Sequence, residues 1–105
     1  TLIITSPARF DLDGIYDYIS GTSDGNAARS FISKLSAQIE RIASVGHSGV
    51  PRDSVRPGLR LSIHGRYNIY FRVTDADIYI VRVVHSARDV RRLRFDDEGG
   101  GQRTD

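Results

Sequence analysis

The fold of this chain is decided by residues 67–85, YNIYFRVTDADIYIVRVVH. Apolar side chains stand at every second position from Tyr67 to Val73, which is the period of a strand with one buried face. The later run IYIVRVV is apolar on both faces except at Arg82, as expected for a central strand. Because the intervening Thr74–Asp77 is short and polar, the segment predicts an antiparallel hairpin.

A third strand and a loop are predicted upstream of this hairpin. Apolar and polar residues alternate from Leu59 to Ile63, and His64-Gly65-Arg66 fits a short turn into the next strand. Residues 46–58 contain three glycines and two prolines, a composition that favours a loop.

The N-terminal part predicts one strand followed by two helices. The run Leu2-Ile3-Ile4 fits a short strand, and Ser6-Pro7 fits an N-cap followed by proline at the first helical position. Apolar side chains then form two stripes of helical spacing on either side of the turn-like Thr22–Asn26. The stripes are Ala8, Leu12, Ile15, Tyr16 and Ile19, and Ala28, Phe31, Ile32, Leu35, Ile39 and Ile42. We expect the first helix to end near Ser20-Gly21 and the second at Gly46.

These elements predict an α+β fold with the order β-α-α-β-β-β and a short C-terminal helix over Ala87–Leu93. An antiparallel helical hairpin would pack on one face of a mostly antiparallel sheet, giving two layers. The other sheet face would present the strand arginines to solvent or to a partner. We expect one domain over residues 1–95, and the acidic, glycine-containing residues 96–105 are predicted to be a disordered tail.

Composition narrows the possible functions. The chain has no cysteine, which excludes disulfides, thiolate metal sites and a cysteine nucleophile. His47 and His64 have no carboxylates at ligand spacing, so no metal and no cofactor are expected. The apolar runs are too short to span a bilayer and no signal segment opens the chain, which predicts a cytoplasmic protein. A chain of 105 residues leaves little room for a deep pocket, so we expect a macromolecular partner rather than a small-molecule substrate.

Positive charge is concentrated in the second half of the chain. Residues 56–95 carry nine arginines against three aspartates, a net charge of +6, whereas residues 1–55 have a net charge of −1 and the last ten residues −3. Arginine pairs bidentately with carboxylates and phosphates, so this region suits an acidic partner or nucleic acid.

The ordered motifs of the chain resemble the ParE/RelE superfamily of toxins, and the ParE-like branch in particular. In the helices the resemblance rests on Ala8, Asp11-Leu12, Ile15, Tyr18-Ile19, Ala27-Ala28, Phe31-Ile32, Leu35, Ile39 and Ile42-Ala43. In the second half it rests on Pro57-Gly58-Leu59-Arg60, Tyr67–Val73, Ile78, Val81–His85 and Arg88-Asp89. It covers about positions 2 to 93, in order and with the spacing of the family.

The resemblance implies a toxin that a cognate antitoxin holds inactive, here of the ParD-like, ribbon-helix-helix kind. ParE-like members poison DNA gyrase, stalling it on cleaved DNA, whereas RelE-like members are ribosome-dependent mRNA endonucleases. The shared scaffold does not choose between these targets, and a toxin-like binding module that has lost toxicity is a third alternative. For RNA cleavage, the candidate residues are His85, Arg60, Arg72 and Arg82, but no glutamate lies in the strands to serve as a general acid or base.

A binding toxin would use two sets of residues. We assign target binding to the C-terminal region, at Arg82, His85, Arg88, Arg91 and Arg92, with antitoxin binding at Leu12, Tyr16, Arg60 and Arg72. A helix over Ala87–Leu93 would display Arg88, Arg91 and Arg92 along one face.

Structural roles compete with these assignments. His85 ends a strand, where it could cap a carbonyl or pair with Asp89. Arg88-Asp89 could fix the turn into the last helix, with the carboxylate near the helix start. Arg60, Arg72 and Arg82 could form a solvated sheet face.

Overall fold

The computed structural model describes residues 1–45 and 48–95, and both predicted helices are present in it. The elements are β1 (Leu2–Ile4), α1 (Ser6–Thr22), α2 (Gly25–Val45), β2 (Val50–Pro51), β3 (Leu59–His64), β4 (Tyr67–Val73), β5 (Ile78–His85) and a 3₁₀ turn (Val90–Arg92). Within these residues the strands form one sheet in the order β1-β5-β4-β3-β2. The α+β fold with a helical hairpin on a mostly antiparallel sheet is therefore confirmed.

The strand β5 lies inside the sheet, as its doubly apolar sequence predicts. It pairs in parallel with β1, where Leu2 lies opposite Ile78, and antiparallel with β4, where Tyr67 lies opposite His85. A register shift next to Tyr70 makes a bulge in this ladder. A bulge turns the following side chains of the strand relative to the preceding ones, which affects residues from Arg82 onward.

A core of aliphatic side chains fills the space between the helices and the sheet. Leu35 of α2 and Phe71 of β4 are fully buried in it, and Leu12 and Phe31 pack against its rim. The amide of Gln38 on α2 also donates to the Ser62 hydroxyl on β3 at 2.9 Å. The two predicted helical stripes therefore face the sheet.

The second sheet face is not open, and the prediction that it displays the strand arginines is wrong. Leu59, Leu61, Tyr70, Val81, Val84 and Phe95 form a second buried cluster there. Val55 from the loop before β3, together with Val90 and Leu93 after β5, packs against this cluster. The C-terminal segment thus covers the face because it supplies the apolar side chains that shield Tyr70 and Val81 from water.

Three local predictions need correction. The N-cap of α1 is Thr5 rather than Ser6, and the helix continues to Thr22. The predicted loop over residues 46–58 contains the edge strand β2, which pairs with Arg60 and Leu61. The predicted helix over Ala87–Leu93 is only a 3₁₀ turn. The expected Gly46 cap and the acidic tail at residues 96–105 lie outside the described residues.

Thr5 joins the first strand to the first helix. It is fully buried, its hydroxyl accepts from the Ala8 amide at 3.3 Å, and the same oxygen lies 3.0 Å from the carbonyl of Ile80 and 3.1 Å from that of Val81. One hydroxyl therefore caps α1 and satisfies a carbonyl of the central strand. A buried carbonyl without such a donor would lower stability.

Replacing Thr5 with valine is expected to lower the free energy of unfolding by about 1–2 kcal/mol, because the shape is retained while the cap and the strand contact are lost. Urea unfolding would measure the change. Thr5→Ser keeps the hydroxyl and serves as the control, so a loss as large as that of Thr5→Val would show that the methyl group carries the effect.

Candidate functional site

Arg82 is held in a largely buried ion pair. Its Nε and Nη2 donate to the two carboxylate oxygens of Asp11 on α1, at 2.7 and 2.9 Å. The side chains are only 13% and 9% exposed. A fork-on-fork contact of this kind is the strongest geometry available to arginine. The interpretation of Arg82 as part of a solvated sheet face is therefore wrong.

The same pair ties three parts of the chain together. Asp11 Oδ2 also accepts from the Val83 amide at 2.9 Å, and Arg82 Nη1 donates to the carbonyl of Arg94 at 2.9 Å. The helix α1, the strand β5 and the C-terminal segment meet at this one carboxylate and one guanidinium. Arg82 thus positions the backbone of the segment that carries the other C-terminal arginines.

His85 caps its own turn. Its Nδ1 accepts from the Ala87 amide at 3.0 Å, and its ring stands edge-on to Tyr67 with centroids 5.5 Å apart. The expected partners, a carbonyl or Asp89, are not the ones found, because Asp89 faces Arg91 instead. Because Nδ1 is the acceptor, the proton of the neutral ring is on Nε2.

Tyr67 lies beside His85, and both side chains line the same shallow groove. Burial raises the pKa of the Tyr67 phenol, and the nearby Tyr18 raises it further. The phenol therefore stays protonated at neutral pH and can donate a hydrogen bond, but it cannot act as a base.

The four ribonuclease candidates are not brought together. The ladder places Tyr67 opposite both His64 and His85, and Arg72 opposite Leu59. His85 and Arg72 are therefore about five residues apart along β4, roughly 17 Å at the rise of a strand. Arg60 donates to the carbonyls of Ser48 and Gly49, at 2.7 and 3.3 Å, beside the Arg72 end. Arg82, the fourth, is neutralised by Asp11.

The proposed antitoxin residues lie on three elements. Leu12 and Tyr16 lie one turn apart on α1, with Leu12 packed against the helix-side core. Arg60 on β3 holds the loop before β2, and the guanidinium of Arg72 on β4 lies 5.4 Å from the centre of the Tyr79 ring. Arg60 and Arg72 thus have contacts within the fold, whatever their role in binding.

Asp89 organises the turn after β5. It is the N-cap of the 3₁₀ turn and accepts from the Arg91 amide at 3.1 Å. Its carboxylate also receives Nε and Nη2 of Arg91, at 3.0 and 3.1 Å, whereas Arg92 approaches only to 3.9 Å. The prediction that Asp89 lies at the start of the last helical element is confirmed, although that element is a 3₁₀ turn.

The contact with Arg91 favours the charged form of Asp89. Hydrogen bonds from the Arg91 side chain, and then from its backbone, lower the pKa of this carboxyl below its usual value. A lowered pKa stabilises the fold above the unfolded pKa, and the contribution is lost as the pH falls through the folded value.

We expect Arg91→Ala to raise the Asp89 pKa toward that of a free aspartate. The contribution of Asp89 to the loss of stability at acidic pH, below about pH 4, should then become smaller. NMR titration of the Asp89 carboxyl would measure the change. Arg92→Ala is the matched control, since its guanidinium is farther away. Equal shifts in the two variants would contradict the assignment to Arg91.

Of the five proposed target residues, Arg82, Arg88 and Arg92 line one groove, His85 lines an adjoining groove, and Arg91 lies apart from them. Arg88, Arg92 and Arg94 line a shallow groove of about 360 Å³ together with Pro7, Phe10, Asp11, Arg82 and Leu93. His85 lines an adjoining groove of about 260 Å³ with Tyr67, Arg88 and Phe10. Arg91 lines a third groove beside Arg56 and Phe95. The predicted single face of Arg88, Arg91 and Arg92 is wrong, because Arg88 precedes the 3₁₀ turn and Arg91 turns away.

Phe10 was missed by sequence reasoning. It is 79% exposed on α1 and contributes to both of the first two grooves. Phe10 lies between Ala8 and Leu12 in the sequence but outside the apolar stripe that they belong to. An aromatic residue off the stripe of an amphipathic helix predicts an exposed ring, and this was the signal that the sequence offered.

Among residues 1–45 and 48–95, no cluster of three or more metal-ligating side chains occurs. The helices in the same ranges include none that is both long and apolar enough to cross a membrane.

Comparisons with known proteins agree on one family. A family model described as "ParE toxin of type II toxin-antitoxin system, parDE" matches residues 2–90. Toxin ParE1 of Caulobacter vibrioides is 31% identical over 84 residues, covering 80% of this chain and 86% of that protein. A solved chain titled "Chromosomal ParDE TA system from P. aeruginosa" superposes with a TM-score of 0.73 at 28% identity, covering 81% of this chain and 94% of that chain.

Proposed function

The chain belongs to the ParE toxin family of type II toxin–antitoxin systems, and on that premise we propose that it poisons DNA gyrase and is neutralised by a ParD-like antitoxin. The antitoxin would be of the ribbon-helix-helix kind, with binding residues that include Leu12, Tyr16, Arg60 and Arg72. Since gyrase acts in the cytoplasm, the proposal places the toxin there as well.

The observation that favours a binding toxin over a nuclease is the distance between the candidate catalytic residues. His85, the one proton-transfer candidate among them, lies roughly 17 Å along the sheet from Arg72. RNA cleavage requires proton transfer and stabilisation of charge at the same phosphate. The nearer Arg82 has its charge compensated by Asp11.

The C-terminal arginines favour a large acidic partner. Arg92 is 88% exposed at its side chain, and Arg88 is exposed beside it in the groove with Phe10. Exposed cations of this kind steer association with acidic or nucleic-acid-bound partners. Target binding by Arg82, His85, Arg88, Arg91 and Arg92 remains the proposal, with Arg82 acting through its hold on the Arg94 backbone.

Purified gyrase and translating ribosomes separate the two candidate functions. The toxin is expected to inhibit supercoiling and to leave cleaved DNA in the gyrase reaction, and added antitoxin should reverse the inhibition. Messenger RNA on translating ribosomes should stay intact. Cleavage of that RNA, with supercoiling unaffected, would overturn the proposal in favour of the endonuclease.

A further inference from the structure

The surface around Phe10 combines an exposed ring with a set of arginines. We call it the Phe10 groove and define it by Phe10, Arg88, Arg92 and Arg94, which line one depression. Phe10 is 79% exposed, so it contributes little to the core and leaves a ring face in water. Aromatic residues and arginines together are the side chains in which protein binding surfaces are enriched.

The positive charges of the groove's arginines are mostly not compensated by carboxylates of the described residues. Within residues 1–45 and 48–95, Arg88 and Arg94 have no carboxylate within ion-pair distance of their side chains, and Arg92 has only the 3.9 Å contact with Asp89. Asp11 also lines the groove, but its carboxylate is occupied by Arg82 and by the Val83 amide. Among the residues that the structure describes, the groove therefore offers three guanidinium groups and no free carboxylate.

We infer that the Phe10 groove binds a single strand of nucleic acid, with a base stacked on Phe10 and phosphates held by the arginines. Arginine forks fit phosphate oxygens, and every base has a face that stacks on an aromatic ring. The bases of an intact duplex are already stacked on each other, so an exposed ring favours unpaired nucleotides.

An acidic peptide helix fits the groove less well. A helix in a groove needs apolar contacts at successive turns, over i, i+3, i+4 and i+7. The apolar lining of this groove is confined to Pro7, Phe10 and Leu93, and its volume is only about 360 Å³. One projecting ring among three cations matches alternating bases and phosphates better than it matches a continuous apolar stripe.

The inference rests on the proposed function and deepens it. A toxin that acts on gyrase engaged with cleaved DNA would meet opened strands as well as protein. The target would be the complex of gyrase with its DNA: Arg88 and Arg92 in the Phe10 groove would contact the nucleic acid, while the other target-binding residues contact the enzyme.

The test uses the full chain alone with a fluorescein-labelled single strand of roughly ten nucleotides, followed by fluorescence anisotropy. We expect a Kd of about 10⁻⁴ to 10⁻⁶ M that weakens steeply as salt rises. Phe10→Ala should weaken binding about five- to hundredfold. Tyr18→Ala is the matched control, because Tyr18 is a 65% exposed aromatic on the same helix outside the groove, and it should bind as the parent does.

Arg88→Gln supplies a second readout. It should reduce the slope of log K against log salt by about 0.7, the value for one phosphate contact on a single strand. Arg29→Gln, at an exposed arginine on α2, should leave the slope unchanged.

Three results would overturn the inference: no binding at about 10⁻³ M strand, equal affinity of Phe10→Ala and the parent, or Phe10-dependent binding of polyglutamate but not of the strand. Supercoiling assays on the same variants keep the two proposals apart. Strand binding without gyrase inhibition would count against the proposed function alone, and inhibition without strand binding against the Phe10 groove alone.

Discussion

Replacing Asp11 with alanine is expected to lower the free energy of unfolding by about 3–5 kcal/mol, the range for breaking a buried ion pair from one side. The variant leaves the largely buried guanidinium of Arg82 without a counter-charge, since the two side chains are only 13% and 9% exposed. The Val83 amide loses its acceptor at the same time. In a domain of this size, such a loss is a large share of the total stability.

Urea unfolding of three variants, compared with the parent, would separate the effect of the ion pair from that of its surroundings. Asp13→Ala is the matched control, because Asp13 is an exposed aspartate on the same helix, and its effect should stay within about 0.5 kcal/mol. The double variant Asp11→Leu with Arg82→Met should recover most of the stability, since replacing both charges by apolar groups removes the unpaired charge. A loss below about 1 kcal/mol for Asp11→Ala would show that Arg82 finds water or another acceptor.

The Asp11–Arg82 pair also marks the limit of what one sequence can predict. The two residues are 71 positions apart, and neither periodicity nor a short motif links them. In the sequence, Asp11 is an acidic residue of the first helical segment, and Arg82 is the one polar residue in a predicted central strand. Pairing them requires the parallel placement of β1 beside β5, because that placement sets α1 across the end of β5.

Sequence periodicity predicted the helices and strands correctly where the burial of side chains agrees with the local conformational preference of the chain. The helical stripes predicted Leu35 and Ile39 in the core, and the alternation from Tyr67 to Val73 predicted β4. At the start of α1, Thr5 and Ser6 could both cap the helix by their own chemistry. The choice fell to Thr5 because its hydroxyl also reaches the carbonyls of Ile80 and Val81, which is a tertiary contact.

Tertiary burial also overrode the predicted C-terminal helix. The charges at Arg88, Arg91 and Arg92 suggested one helical face, but Val90 and Leu93 pack against the second core cluster and Phe95 is buried within it. The chain is extended at Leu93, with φ −82° and ψ 145°, which ends the helical turn after one round. Burial of these apolar side chains outweighs the weak helical preference of a short segment.

The charge-reversed double variant Arg88→Glu with Arg92→Glu is expected to fold normally and to lose growth arrest. Both arginines are exposed, and the one resolved ion pair between them and the described residues is the 3.9 Å contact of Arg92 with Asp89. Exposed pairs contribute about 0–1 kcal/mol, so the thermal midpoint should change little. Target affinity should fall roughly a hundred- to thousandfold, because two interface arginines are each replaced by a charge that repels the target.

Growth after induction without antitoxin, measured in parallel with thermal unfolding of the purified variant, would test this prediction. Arg29→Glu with Arg41→Glu is the matched control, since both arginines are exposed on α2 and outside the Phe10 groove. That control should fold and arrest growth as the parent does, because the net charge change is the same while the location differs. If the Arg88 and Arg92 variant folded and still arrested growth like the parent, these arginines would be a solvated face. The toxic surface would then have to lie elsewhere, with His85 and Tyr67 in the adjoining groove as the next residues to change.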